Sequence, residues 1–509
     1  MSVSSSKELE DFYDNKIAAC LADVRLLRQQ RNADCSKTKH LPAEVLSRIF
    51  GSLAYCRHGY SSPLQWIAAT HVCHTWRNIA LNEPSLWTDF TDVHPKWVRE
   101  MFSRSKAAPL VLLQPRPLDP PDTNGLAFIF DHVIEFPERI GELRMSSDQA
   151  FLDRLIQPAP FLRSLVIGEV NFPPNFLGGF APRLRHLVYL GNLPLEASWL
   201  ENLTGLESFG GVYLEASYLS GLTSLQLGSG WSAWDATSRR PTRITVDILL
   251  SALENMPLLR SLNLLLPKDV QQASSSRLAP VYLQYLVDVT IIFDTLEAAT
   301  IFPHLRIDHL EKLLASGACD ENIAMIAPAC HFFETSYHGG DLQYLLYKRQ
   351  GFEFCRIDPY GVHTPVLEIE DWAFLTPSAL ACVVSLLPSC VPQVLEMVLD
   401  REFLPQVFAL PDCGTIEELR ITSSYVHSCI PHDLFQTNDR STPPYPSLRR
   451  LEFRFFNITS ESVNLLKRWV SVREPSTTLE LIFKDCDIWE QDFASLQEVA
   501  AVSISYHHT

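Results

Sequence analysis

From about residue 110 onward, short leucine-centred runs recur along the chain, most of them variants of L-x-x-L-x-L. Leucines alternate with polar residues in such a run, which predicts a short strand with one buried apolar face. One strand cannot bury that face alone, so we expect a coil of about 20–29 residues that stacks the next strand in parallel beside it. The runs cover residues 161–167, 183–190, 205–209, 222–227, 258–266, 282–291, 415–421, 447–455 and 478–483.

The spacing of these runs predicts an irregular leucine-rich-repeat solenoid. Leucines at positions 162, 184 and 206 are 22 residues apart, and Leu259, Leu283 and Leu305 are separated by 24 and 22. Residues 247–257 have helical spacing and suit the layer between two strands. A set of ordinary buried strands in an α/β domain is the alternative, but near-equal spacings favour the repeat. Residues 307–390 show no clear unit.

The N-terminal residues 1–35 are predicted to form one amphipathic helix. Ile17, Leu21, Val24 and Leu27 follow at spacings of three or four, and charged residues fill many other positions. The pattern covers about two and a half heptads, which is short for an autonomous coiled coil. A coiled coil and a helix that docks on its own protein both stay open, and the short length favours docking.

Residues 36–92 are predicted to form a small helical domain, and residues 93–509 the α/β solenoid. In the run LPAEVLSRIFGSL from residue 41, Pro42 suits the first turn of a helix and Glu44 complements its positive end. A second helical run covers residues 66–80. After it, Leu86 and Trp87 stand in a turn and are expected to point back into the domain.

Composition changes the picture by excluding several classes of protein. Hydrophobic residues make up 46% of the 509 and charged residues 20%, so most of the chain should fold. The net charge is −17, which argues against a binder of nucleic acid or of an anionic membrane. Residues 1–100 carry a net charge of +1 and the rest −18. This excess acidity fits either solubility or a preference for basic partners.

The twelve cysteines are dispersed and form no C-x-x-C pair. The polar start lacks the apolar stretch of a signal peptide, and no apolar run approaches the length of a membrane span. We therefore expect reduced thiols, no membrane, and a cytoplasmic or nuclear location.

The sequence carries no recognisable catalytic or metal-binding motif. The chain has no nucleophile elbow, no phosphate-binding glycine loop and no H-E-x-x-H. Cys56 and His58, with His71, Cys73 and His74, invite a zinc hypothesis, but their spacings do not match common zinc pairs. We therefore expect no metal, no cofactor and no enzymatic activity.

One strand offers candidates for capturing a target protein. In the run from Arg450 to Phe455, Leu451, Phe453 and Phe455 are expected to face inward. The alternate side chains would then line the open side of the sheet, where two arginines suit an acidic or phosphorylated target. A ladder of cross-strand salt bridges with Glu418 or Glu480 is the favoured alternative. The candidate residues are Arg450, Glu452 and Arg454.

Residues 41–87 resemble an F-box, specifically the F-box-like module common at the N-termini of large fungal proteins. A short N-terminal coil and downstream irregular leucine-rich repeats are similar to the same group. The matching residues are Leu41, Pro42, Glu44, Leu46, Ile49, Phe50, Val72, Cys73, Trp76, Arg77, Pro84, Leu86 and Trp87.

The resemblance implies a substrate adaptor of an SCF-type cullin–RING ubiquitin ligase, whose F-box docks on the Skp linker protein while the solenoid captures a target. A protein-binding scaffold that engages no ligase is the alternative. The physics agrees in kind, because an apolar helix face needs a partner surface in its own domain or on another protein. The resemblance assigns docking to Leu41, Pro42, Val45, Leu46, Ile49 and Phe50, and to Val72, Trp76 and Arg77 in the later helices.

Overall fold

The structure is a computed structural model that divides into two compact units, Met1–Leu190 with Ala197–Asn202, and Gly191–Glu196 with Leu203–Thr509. It describes every residue of the chain apart from residues 1–2, 36–40, 56–63, 92, 114–135, 146–147, 236, 239, 268–269, 272–278, 318–325, 339–341, 343, 349–350, 358–362, 372–384, 389, 400–414, 424–427, 431–444, 472, 474–477, 500–501 and 508–509.

The first unit begins with helices. Helix α1 (Val3–Cys35) is followed by α2 (Ala43–Tyr55), α3 (His74–Asn82) and α4 (Pro95–Ser105), with short 3-10 segments at Gln65–His71 and Pro84–Trp87. The run predicted over residues 66–80 is broken, because Cys73 has extended backbone and its sulfur accepts the Trp76 amide as the N-cap of α3. The turn with Leu86 and Trp87 is confirmed, and both side chains are buried.

Helix α1 differs from the expectation of a helix docked on its own protein. Its side chains are exposed throughout residues 7–31, and the large apolar ones are 43% to 64% exposed. No tertiary packing covers this helix in the described part of the chain.

Four parallel strands complete the first unit: β1 (Leu110–Leu113), β2 (Ile140–Met145), β3 (Ser164–Ile167) and β4 (His186–Tyr189). Between them lie a short helix α5 (Gln149–Leu152) and 3-10 segments at Pro137–Arg139, Phe176–Gly179 and Ser198–Leu200. Leu143, Leu165 and Leu187 stand in register on β2–β4, and each is buried. The leucines of successive strands therefore form one continuous buried row, which is the packing expected of stacked repeats.

The second unit continues the same plan over thirteen strands. In chain order they are β5 (Gly205–Ser208), β6 (Ser224–Leu227), β7 (Ser261–Leu265), β8 (Asp288–Phe293), β9 (Lys312–Gly317), β10 (Tyr344–Lys348), β11 (Gly351–Ile357), β12 (His363–Asp371), β13 (Val394–Leu399), β14 (Glu418–Ser423), β15 (Arg450–Arg454), β16 (Leu479–Lys484) and β17 (Val502–His507). Leu395, Leu419, Leu451 and Leu481 form one buried row across β13–β16.

Pairing in this sheet departs from a simple repeat at one place. The spatial order is β5-β6-β7-β8-β9-β12-β11-β10-β13-β14-β15-β16-β17. Strand β11 is antiparallel to both of its neighbours, and every other described pair in this sheet is parallel. The region 307–390 showed no repeat in the sequence because its strands are added by antiparallel hairpins, whose period is set by alternation and short turns.

Helices and small sheets fill the segments between the strands of the second unit. Helix α6 (Val246–Glu254) confirms the helical spacing of residues 247–257. The other described α-helices of this unit are α7 (Leu296–Ala299), α8 (Ala327–Ser336), α9 (Ser460–Ser471) and α10 (Glu490–Gln497). Three small sheets are formed by Gly211–Val212, Ser232–Trp234 and Pro241–Thr242, by Val281–Tyr282 and Leu305–Arg306, and by Ser428–Cys429, Phe456–Ile458 and Asp487–Ile488. Among the described helices none combines the length and apolar character needed to cross a bilayer.

Candidate functional site

The inner side of α2 holds the small helical module together. Leu46 and Phe50 are buried, and the Phe50 ring meets the Trp76 ring edge-on at a centroid distance of 5.3 Å. Nearby, the rings of Trp66 and Trp87 pack in the same manner at 5.0 Å. Such aromatic pairs add to the free energy of burial. Leu46 and Phe50 thus form the module's own core. Of the two partner surfaces that the sequence allowed, these two side chains pack against the one in their own domain.

The outer side of α2 carries an apolar stripe of four residues. Val45, Ile49 and Leu53 recur every fourth position, so they lie above one another on one face of α2, and Leu41 continues the same spacing two residues before the helix begins. The exposed fractions of Leu41, Val45, Ile49 and Leu53 are 38%, 39%, 41% and 50%. The Pro42 carbonyl accepts the amides of Val45 and Leu46 at 3.1 and 3.2 Å and so begins the helix beneath the stripe.

We call these four residues the α2 stripe. Leu53 is its unpredicted member, and the signal was present, since it continues the same four-residue spacing from Ile49. Exposed apolar residues in contiguous rows mark surfaces that other proteins cover. The exposed face of α2 is therefore the candidate docking surface.

The later helices divide in the same way. Val72 is 58% exposed at the end of the 3-10 segment, and Arg77 is exposed on α3. Trp76 is half-buried, with one side against Phe50. Val72 and Arg77 are thus accessible to a partner, while Trp76 mainly supports the core.

The module is joined to the first strand of the sheet by backbone and side-chain contacts. The Phe90 amide donates to the Val111 carbonyl, and the Val111 amide donates to the Thr88 carbonyl, both at 2.9 Å. From α4, the Arg104 guanidinium lies 4.4 Å from the Trp87 ring centroid. The Trp87 indole in turn donates to the Ala80 carbonyl at 2.9 Å. The end of the helical module and β1 therefore form one structure.

The strand of the second candidate site belongs to a ladder of charges. On one row of the sheet, Arg450 stands between Glu418 and Glu480, at 3.8 and 3.6 Å from their carboxylates. On the next row, Arg420 stands between Glu396 and Glu452, and its Nε is 2.7 Å from Glu418. Opposite charges alternate along both rows and diagonally between them. This is the cross-strand pairing expected of the salt-bridge alternative.

Glu452 is the most buried charge of the ladder, at 1% exposure. It accepts a hydrogen bond from Arg454 and lies 3.1 Å from the Lys484 ammonium. Burial alone would raise the pKa of the Glu452 carboxyl, but the hydrogen bonds and charges of Arg454 and Lys484 outweigh it and hold the pKa below its usual value. Glu452 therefore cannot reach a target, although Arg450 and Arg454 remain partly exposed.

The end of this strand corrects one expectation. Phe455, predicted to face inward, is 39% exposed, and its backbone φ is 60°. The left-handed backbone there ends the alternation of the strand, so Phe456 is buried instead.

Among the described residues, no group of three or more histidine, cysteine and acidic side chains is placed to hold an ion. Cys56 and His58 of the zinc hypothesis lie outside the described residues.

Comparison with protein families gives one match. Residues 38–92 match the family model described as F-box-like, which contains the α2 stripe, Val72 and Arg77. The match covers the helical module and does not distinguish a fungal type. A search among curated proteins gives no match.

Solved structures to which this chain is similar include two leucine-rich-repeat proteins and an internalin. An internalin of Listeria monocytogenes is 12% identical with a TM-score of 0.23, and covers 75% of this chain and 95% of its own. A leucine-rich-repeat protein of Leptospira interrogans is 12% identical with a TM-score of 0.24, covering 74% and 98%. A circular leucine-rich-repeat protein, CroV588, is 15% identical with a TM-score of 0.29, covering 68% and 53%. At these scores the fold assignment rests on the strand order itself.

Proposed function

We propose that this protein is a non-catalytic substrate adaptor of an SCF-type ubiquitin ligase. The observation that carries the proposal is the α2 stripe within the F-box-like match, because it offers an apolar helix face with no partner among the described residues of its own module. The Skp linker protein would cover this face. We also propose the fungal type of the module, on the sequence resemblance alone, and a cytoplasmic or nuclear location.

Burial reduces the number of residues that we propose to contact the Skp linker protein. Leu41, Val45, Ile49 and Leu53 would supply the apolar contact, together with the exposed Val72. Pro42 is exposed and sets the start of α2, while Arg77 offers an exposed charge on α3. Leu46, Phe50 and Trp76 would hold the helix in place without contacting the linker.

The repeat sheet would bind the target. Its candidate residues are now Arg450 and Arg454, whose side chains keep 40% and 29% of their exposure. Both already lie beside carboxylates, so an acidic target would have to compete with Glu418, Glu480 and Glu452. The net charge of −18 beyond residue 100 favours a basic target, which would bind acidic side chains rather than these two arginines.

The test is co-purification of the full chain with the Skp linker protein, followed by titration. Val45→Asp with Ile49→Asp places two charges in the centre of the α2 stripe, and we expect the dissociation constant to rise at least about a hundredfold. Both side chains are exposed, so the module should keep its fold. The matched control is Ile156→Asp, which charges an isoleucine of similar exposure, 49%, outside the module.

Two results would contradict the adaptor. If the wild-type chain does not bind the linker, the scaffold alternative stands. If the paired aspartates bind as tightly as the control, docking uses another surface.

A further inference from the structure

Helix α1 is a long helix against which no described residue of the chain packs. Its 33 residues span about 50 Å, and its side chains are exposed throughout residues 7–31. In proteins, most helix stability comes from packing an apolar face against a neighbour. An exposed helix with eight large apolar side chains therefore lacks the contact that would stabilise it.

One face of α1 has the spacing of a coiled-coil seam. Tyr13, Ile17, Cys20, Val24 and Leu27 follow at intervals of four, three, four and three residues. At 3.6 residues per turn they fall within about 80° of one another. This α1 seam is the surface that a second helix would cover.

Charge along α1 is segregated by sign. Residues 8–14 carry four carboxylates and no basic side chain, whereas residues 25–31 carry three arginines and no acid. Two copies side by side in parallel would bring like charges together. Two antiparallel copies place each acidic segment along the other copy's arginines.

We infer that α1 associates with α1 of a second copy as an antiparallel coiled coil. With the two-fold axis between Ala18 and Ala19, Tyr13 meets Val24 of the second copy and Ile17 meets Cys20. Beside the seam, Lys16 then faces Asp23 of the second copy, so each dimer gains two opposite-charge pairs. The dimer would hold two F-box-like modules without using the α2 stripe.

The test measures the mass of the full chain in solution over a range of concentrations by light scattering. We expect twice the monomer mass for the wild type. Ile17→Asp with Val24→Asp charges the α1 seam and should raise the dimer dissociation constant at least about a hundredfold. The matched control is Leu26→Asp on the opposite face of α1, where the side chain is 54% exposed, and it should leave the mass unchanged.

Orientation is tested by charge exchange and by disulfides. Lys16→Asp should weaken the dimer several-fold, and adding Asp23→Lys should restore it. Under mild oxidation, Ile17→Cys should form a disulfide with Cys20 of the second copy, whereas Leu26→Cys should not. A monomeric wild type, an Ile17→Asp, Val24→Asp variant that still dimerises, or a dominant Cys35–Cys35 disulfide would overturn the inference, since the Cys35 residues lie at opposite ends of an antiparallel pair.

Discussion

The burial of Glu452 makes a sharp prediction about the charge ladder. Replacing Glu452 with glutamine keeps the shape of the side chain but leaves Arg454 and Lys484 without their carboxylate. Removing one partner of a fully buried ion pair costs about 3–5 kcal/mol. Here the two cations keep 29% and 32% of their exposure, so water offsets part of that cost. We expect a loss of about 2–3 kcal/mol.

The control uses the same substitution on the neighbouring strand β16, one row of the ladder away. Glu480 contacts Arg450 at 3.6 Å but is 46% exposed, so Glu480→Gln should cost less than about 0.5 kcal/mol. Hydrogen exchange read by mass spectrometry on β14–β16 reports the free energy of local opening. Glu452→Gln should speed exchange there roughly 30- to 150-fold, and Glu480→Gln less than about threefold.

Acid should erase the difference between Glu452→Gln and the wild type. Because the folded pKa of Glu452 is lowered, its stabilising effect is complete above the unfolded pKa of about 4.3 and disappears as the pH falls through the folded pKa. Equal exchange rates for Glu452→Gln and Glu480→Gln at neutral pH would refute the reasoning, since burial would then not decide the strength of these ion pairs.

Two further predictions concern the helical module and the thiols. Phe50→Ala should lower the stability of the module by about 3–5 kcal/mol because it opens a cavity against Trp76, whereas Ile49→Ala should cost less than about 1 kcal/mol. Thermal unfolding of both variants measures the two losses, and equal losses would contradict the division of α2 into a core side and a docking side. Burial raises the pKa of Cys330 to about 12, so at pH 8 iodoacetamide should modify the exposed Cys35, which lies outside the α1 seam, at least about a thousandfold faster than Cys330. Peptide mapping measures both rates, and similar rates would contradict the burial of Cys330 in α8.

The sequence pattern was a reliable guide wherever burial repeats with a fixed period. The pattern around Leu165, Leu187 and Leu225 predicts their strands correctly because each coil must bury a leucine at the same position. The pattern fails across β10–β12, where antiparallel pairing frees the strands from the coil period. The pattern does not indicate which strand follows β9 in the sheet, and in the structure β9 pairs with β12 and not with β10.

The candidate site was predictable as a segment but not residue by residue. Ile49 and Phe50 are adjacent apolar residues on one helix, yet one is 41% exposed and the other fully buried. Only the placement of Trp76 decides which of them becomes core. The same limit applies to Glu452, since its burial depends on Arg454 and Lys484, and the latter comes from the next strand.

The reversed strand β11 has a consequence for how the second unit acquires its structure. Parallel coils close loops of twenty residues or more before any pairing forms, which is slow. Strands β10, β11 and β12 pair in chain order across intervals of only two and five residues, residues 349–350 and 358–362. Hairpins of this kind form in about 1–10 μs. We therefore expect the meander to appear first, with pairing edges on β10 and β12 from which the coils on either side grow outward.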